Sequence, residues 1–225
     1  MLKTIIFDID GVITNLSFFH FITWKSIFSF HHINLTNEEW TPLVGLPRLT
    51  IAHQIAKNHH LHLSDSEIQH LATNKNELFV HLIKHTLEPN NVLNGIHQLI
   101  DEAIKKGLKL IVISTSANAV LEIQRLGLYD KFYYISNGVM KPSVDSETDA
   151  LGSLLKKLAI KPEECIGLED DVKGIKEYKK NGVYAVAIAN YRDQIKQEAD
   201  YWVDLPEQIN LEEIIFSYYK NNADE

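Results

Sequence analysis

An apolar run, Ile5-Ile6-Phe7, delivers two aspartates, Asp8 and Asp10, before Gly11 breaks the pattern. In a strand, residues i and i+2 share a face, so the spacing predicts two carboxylates pointing the same way from the end of a buried strand. Carboxylates a few ångströms apart repel, and burying them is costly unless a cation or a proton is supplied. An acidic turn closing a strand would account for one aspartate but gives no reason for another beside the apolar run. A second apolar run, Cys165 to Leu168, ends in Glu169-Asp170-Asp171, and a third, Leu108 to Ile113, ends in Ser114. Lys141-Pro142 stands between these two groups in the chain. Hard carboxylate oxygens in this number suit a divalent cation.

The elements that must position these residues alternate. Leu108 to Ile113, Phe132 to Ile135, Cys165 to Leu168, Val183 to Ala189 and Tyr201 to Val203 read as strands, the last at an edge. Helical stretches separate them: one running to Leu126 and stopped by Gly127, one over Ser153 to Leu158, and one over Gly174 to Lys180. This alternation predicts an α/β fold with a doubly wound, Rossmann-like parallel sheet, whose ligands sit at the carboxyl ends of the strands. The polar groups after Phe7, Ile113 and Leu168 fall at those ends. Residues 16–88 break the alternation. They are poor in glycine and carry helical stripes, Phe18, Phe21, Ile22, Ile27 and Phe28, then Ile68, Leu71, Leu78, Leu82 and Ile83. Ser64-Asp-Ser-Glu67 has the capping-box pattern and predicts a helix running to about Lys84. The expected organisation is therefore a core of residues 1–15 and 89–225 with an all-helical cap inserted over 16–88. The cap's connections near Asn15 and Glu88 to Asn91 are the expected hinges of a lid.

The chain of 225 residues is long enough for such a core plus a small accessory domain. It has no run of about 18 uncharged apolar residues, and Ile5 to Phe7 is too short for a signal-peptide core. A net charge of −8 argues against a nucleic-acid surface, so positive charge for an anionic substrate must be local. Cys165 is the single cysteine, which excludes an internal disulfide framework and fits a reducing cytoplasm. Its place inside a strand predicts a small core residue. All histidines except His97 lie in the insert, without cysteines or a diagnostic spacing, and read as solvated helix and loop residues. A monomer is expected, and Asn221 to Glu225 reads as a frayed tail.

Taken together, Asp8-Ile-Asp10-Gly-Val, Ser114, Lys141-Pro142 and Gly167-Leu-Glu-Asp170 resemble, in type and order, the four motifs of the haloacid dehalogenase (HAD) superfamily. The resemblance covers essentially the whole chain. It implies phosphoryl transfer through an aspartyl-phosphate, with Asp8 as nucleophile and Asp10 as general acid/base. It implies Mg²⁺ held by Asp8, Glu169, Asp170 and the Asp10 backbone carbonyl. Ser114 is implied as a donor to a phosphoryl oxygen, and Lys141 as the balancing ammonium. Asp171 is expected to support the site or cap a helix.

Within that superfamily, Asp10-Gly-Val-Ile-Thr14, His20 followed by Trp24-Lys25, Gly45 with Arg48, and Lys75-Asn76 look most like the β-phosphoglucomutase family. Ser116 and Asn118 match the core residues that complete its second phosphate site. The implied reaction interconverts β-glucose 1-phosphate and glucose 6-phosphate, with His20, Trp24, Gly45, Arg48, Lys75, Ser116 and Asn118 binding the sugar phosphate. The chain departs from that pattern at Asn15-Leu16, at Pro47, and at Ala117, which replaces a lysine of the second phosphate site. The third motif, Lys141 to Asp145, lacks the usual second proline. A HAD phosphatase acting on a small sugar or polyol phosphate is the alternative. A catalytically silent phosphosugar-binding protein is disfavoured, because a binding module needs no nucleophile.

Overall fold

The computed structural model describes residues 1–136, 138 and 150–221. Lys141, the rest of the third motif and the last residues of the acidic tail lie outside the described residues. The chain divides into two compact units, one of Met1–Asn15 with Glu88–Glu225 and one of Leu16–Leu87.

The first unit is built on six parallel strands, β1 (Thr4–Phe7), β2 (Lys109–Val112), β3 (Tyr134–Ile135), β4 (Cys165–Glu169), β5 (Tyr184–Ile188) and β6 (Tyr201–Val203). Their order is β3-β2-β1-β4-β5-β6, so β1 is central and the winding reverses beside it. All four residues of β1, Thr-Ile-Ile-Phe, are buried, as a central parallel strand covered on both faces requires. Ile6 and Ile111 share one apolar cluster with Cys165 and with Leu151, Leu154, Leu155, Ile175, Tyr178 and Ile195.

The helices of both units, in chain order, are α1 (Ser17–Ser29), α2 (Asn37–Trp40), α3 (Arg48–Asn58), α4 (Asp65–Thr86), α5 (Ile96–Lys105), α6 (Ala119–Arg125), α7 (Ala150–Lys157), α8 (Val172–Lys180), α9 (Asp193–Glu198) and α10 (Leu211–Asn221). The cluster around Ile6 is thus formed against α7, α8 and α9. Side chains alternate along a strand, which leaves Ile5, Phe7, Leu110 and Val112 for the opposite face. There α5 packs against β2, with α10 beside it. The buried residues of α5, Ile96, Leu99, Ile100 and Ala103, follow a helical stripe that the sequence reading passed over.

The second unit consists of α1 to α4 around its own apolar cluster, which includes Trp24, Phe28, Leu35, Ile55 and Ile68. The predicted capping box is present: the Ser64 side chain accepts from the Glu67 N–H, and the Glu67 carboxylate accepts from the Ser64 N–H at 2.7 Å. The two stripes need correction. In α1 the expected Ile27 and Phe28 are buried and are joined by Thr23 and Trp24, whereas Phe21 and Ile22 are half-buried and Phe18 is 65% exposed. The face α4 buries is Ile68, Ala72, Lys75, Phe79 and Ile83, while Leu71, Leu78 and Leu82 flank it. Its 3.6-residue repeat runs through a lysine, which an apolar-only search cannot see. Among the described residues, no helix is long and apolar enough to cross a membrane.

Candidate active site

Parallel registry brings together residues that are far apart in the chain. Phe7 pairs with Val112 on one side and with Leu168 on the other. The ladder continues one step, as the Asp8 N–H donates to the Leu168 carbonyl at 3.1 Å and the Ile113 N–H to the Phe7 carbonyl at 2.9 Å. Asp8, Ser114 and Glu169 therefore emerge from three adjacent strand ends.

The strand itself stops at Phe7, so the expectation of two carboxylates on one strand face does not hold. Asp8 follows the strand, whereas Asp10 lies in a turn, where it bridges to Thr14 and the Gly11 N–H donates to the Thr14 carbonyl at 2.7 Å. The carboxylates that converge are those of Asp8, Glu169 and Asp170, whose candidate ligand oxygens all lie within 4.8 Å of one another. One ion could touch all three at that spacing.

The electrostatics of this cluster are unfavourable without a cation. Burial, then Asp170, then Asp10 and Glu122 push the Asp8 carboxyl well above its usual range, against a lowering by the Ile9 N–H. Burial, then Asp8 and Asp170, push Glu169 well above its range. Asp170 is also raised by burial, though Arg192 beside it works in the opposite direction. Even the Tyr178 hydroxyl is raised, by burial first and then by the fields of Glu169 and Asp8. Three hard oxygen donors this close together could hold a divalent cation, which would offset their mutual repulsion.

Several neighbours hold this arrangement. The Glu169 side chain is buried, and its Oε1 accepts from the N–H groups of Asp170 (3.1 Å) and Asp171 (3.2 Å). Gly174 and Gly11 make room: a Cβ on Gly174 would overlap the Glu169 carboxylate, and one on Gly11 would overlap that of Asp170. Asp171 caps α8, its carboxylate accepting from the Lys173 N–H at 3.1 Å. Beside the cluster, Ser114 Oγ accepts from the Ser116 N–H at 3.1 Å. The Ser116 hydroxyl accepts from the Asn118 N–H at 3.1 Å and donates to Glu122 Oε1 at 2.8 Å.

Glu122 and Arg192 are the neighbours the sequence reading missed. Glu122 sits on the buried face of α6 with Ala119 and Ile123, a carboxylate where helical periodicity calls for an apolar residue. Arg192 follows the carboxyl end of β5, the edge at which this fold places its ligands.

The second unit has a cationic cluster of its own. Lys75, 3% exposed, donates from its ammonium to His20 Nδ1 at 2.6 Å and lies 4.4 Å from the centre of the Phe79 ring. An ammonium has no acceptor, so His20 is neutral, with its proton on Nε2. Burial first, then Lys75 and Arg48, accordingly push its pKa well below the ordinary value. The His20 ring stacks on Phe79 with centroids 4.3 Å apart and planes 7° apart. Trp24, expected to contact substrate, is 1% exposed and packs inside the unit's apolar cluster. Arg48 opens α3, and Gly45 lies in the exposed loop before it with φ +79°.

The haloacid dehalogenase-like hydrolase family matches residues 2–182. The chain belongs to this family. It is a HAD enzyme, a phosphotransferase or phosphatase. Among its relatives is the β-phosphoglucomutase of Bacillus subtilis (strain 168), 29% identical over 189 residues that cover 83% of each chain. Among solved structures, the β-phosphoglucomutase of Clostridium difficile superposes with a TM-score of 0.87 at 27% identity, over 99% of this chain and 100% of that one. CbbY of Rhodobacter sphaeroides, solved with xylulose-(1,5)bisphosphate, shares the fold with a TM-score of 0.72 at 22% identity, over 93% and 97% of the two chains.

Proposed function

We propose that this HAD enzyme is a Mg²⁺-dependent phosphomutase of the β-phosphoglucomutase type, interconverting β-glucose 1-phosphate and glucose 6-phosphate. The observation that carries the phosphoryl-transfer chemistry is the convergence of Asp8, Glu169 and Asp170 at adjacent strand ends. These three carboxylates, with the Asp10 backbone carbonyl, would hold the ion. When bound, Mg²⁺ supplies positive charge that keeps the carboxylates ionised and balances the phosphoryl oxygens.

In this reading an Asp8 carboxylate oxygen attacks phosphorus, the bond from phosphorus to the ester oxygen breaks, and Asp10 gives its proton to that leaving oxygen. In the return step an incoming hydroxyl loses its proton to Asp10 while its oxygen takes the phosphoryl group from Asp8. A sugar hydroxyl as acceptor makes the enzyme a mutase, and water makes it a phosphatase. Ser114 donates to a phosphoryl oxygen, and Lys141, implied by the family motif, adds an ammonium. Within the second unit, the cationic group of Arg48 and Lys75 beside neutral His20 is suited to an anionic ligand such as a sugar phosphate, which supports the mutase reading.

One observation favours the second reading, a phosphatase acting on a small sugar or polyol phosphate. The Ser116 hydroxyl, a member of the family's second phosphate site, is engaged by the Glu122 carboxylate, and Ala117 supplies no ammonium there. Incubation with β-glucose 1-phosphate, Mg²⁺ and a trace of glucose 1,6-bisphosphate separates the two. Glucose 6-phosphate is the expected product. Fast release of inorganic phosphate without glucose 6-phosphate would replace the mutase with the phosphatase.

A further inference from the structure

The proposed chemistry makes no use of the loop that follows β5, yet that loop is conformationally constrained. Asn190 and Tyr191 both adopt positive φ, 46° and 60°. For residues with a side chain this costs on the order of 1 kcal/mol or more each, and it persists where the surroundings over-determine it. Here they do. The Ala189 N–H donates to the Val203 carbonyl (2.7 Å), the Asn190 N–H to the Asp204 carbonyl (2.9 Å), and the Tyr191 N–H to the Asp204 carboxylate (3.0 Å). Lys196 in turn holds that carboxylate at 2.7 Å.

What the bend places is Arg192. Its Nε donates to the Ala189 carbonyl at 3.0 Å, and its Nη2 donates to both the backbone carbonyl of Asp170 (2.5 Å) and Asp170 Oδ2 (3.1 Å). One guanidinium therefore ties the end of β5 to the residue after β4. Asp170 is packed against Gly11 as well, at a distance that leaves no room for a Cβ there.

We propose that Arg192 is a positioning residue for metal binding, holding Asp170 by its carbonyl and by Oδ2 so that the carboxylate meets a cation without rearranging. This rests on the reading of Asp8, Glu169 and Asp170 as the Mg²⁺ site. Two effects oppose each other. A guanidinium near a divalent ion repels it, but the Arg192 side chain is 50% exposed and its charge is screened by water. A ligand fixed in advance loses no rotamer freedom on binding, and outer partners of metal ligands are typically worth 10- to 100-fold in affinity. The ordering effect is the larger. Lysine cannot reproduce it, because a single ammonium does not offer the planar fork that spans Ala189 and Asp170 together.

The test is calorimetric titration of Mg²⁺ into metal-free wild type, Arg192→Ala, Arg192→Lys and Asp170→Asn, with circular dichroism to verify that each is folded. The expected result is binding weakened about tenfold or more in Arg192→Ala and by an intermediate amount in Arg192→Lys, with Asp170→Asn weakest. Wild-type affinity in both Arg192 variants, or tighter binding in either, would overturn the inference while leaving the metal site standing. Failure of the wild type itself to bind Mg²⁺ would overturn the metal-site reading, and the inference with it.

Discussion

Replacing Asp8 by Asn tests the electrostatic reasoning behind the site separately from its catalytic reading. Asparagine keeps the size of the side chain and an oxygen for the Ile9 N–H, but it removes one of three charges whose oxygens lie within 4.8 Å of one another. At an effective dielectric of about 20, two full charges at that separation repel by about 3.5 kcal/mol. Asp8 takes part in two of the three pairs. Partial protonation and the Arg192 guanidinium reduce the realised repulsion, so Asp8→Asn is expected to stabilise the metal-free protein by about 2–4 kcal/mol at pH 8. For a chain of this size that raises Tm by about 5–10 °C.

The pH dependence has a definite sign. Carboxyls whose folded pKa is raised contribute stability that is fully present below their ordinary values, 3.8 for Asp8 and 4.5 for Glu169, and lost as pH rises through the folded values. The gap between variant and wild type should therefore be small near pH 4 and open toward pH 8. Mg²⁺ should close it again by stabilising the wild type more than the variant. Thermal melts in chelator and in Mg²⁺ across that range measure all of this. An Asp8→Asn protein that melts at or below the wild type in chelator at pH 8 would refute the crowding argument.

Other outcomes follow from single contacts. Lys75→Met replaces a buried ammonium on the apolar face of α4 with a side chain of similar length. It should leave the Tm unchanged or higher, while KM for a sugar phosphate carrying a distal phosphate rises about tenfold or more and KM for an aryl phosphate stays near wild type. Gly174→Ala would ordinarily strengthen a helix by up to about 1 kcal/mol; here its methyl group meets the Glu169 carboxylate, so calorimetry should show weaker Mg²⁺ binding. Burial pushes the Cys165 thiol up to about 12, so a disulfide reagent at pH 8 should leave the native protein unlabelled and modify one thiol once it is unfolded.

The residues legible in the sequence are those whose cause is local. Ile5 to Phe7, Leu108 to Ile113 and Cys165 to Leu168 read as buried strands because parallel strands covered on both faces are apolar throughout, and the polar residues after them stood out against that background. The Ser64 capping box was legible for a similar reason, since its hydrogen bonds close within four residues. The departures arise where a local rule was stretched across a boundary or a partner was distant. Asp8 and Asp10 share a face only if the strand continues past Phe7, and the turn made by Gly11 and Thr14 ends it. Trp24 could have packed in the core or faced a ligand, and only the helices folded around it decided for packing.

Arg192 carries no signal in its own neighbourhood. It reaches Asp170 because β4 and β5 pair in parallel and the Asn190-Tyr191 bend aims the chain back across their ends. Glu122 meets Ser116 over a span of six residues, through the turn that opens α6. The sequence determined by itself which residue types stand at the strand ends and hence the kind of chemistry available, because apolar patterning and turn chemistry act over a few residues. Tertiary structure alone decided which carboxylates converge and which cation restrains them, because those distances are set by strand register between segments far apart in the chain.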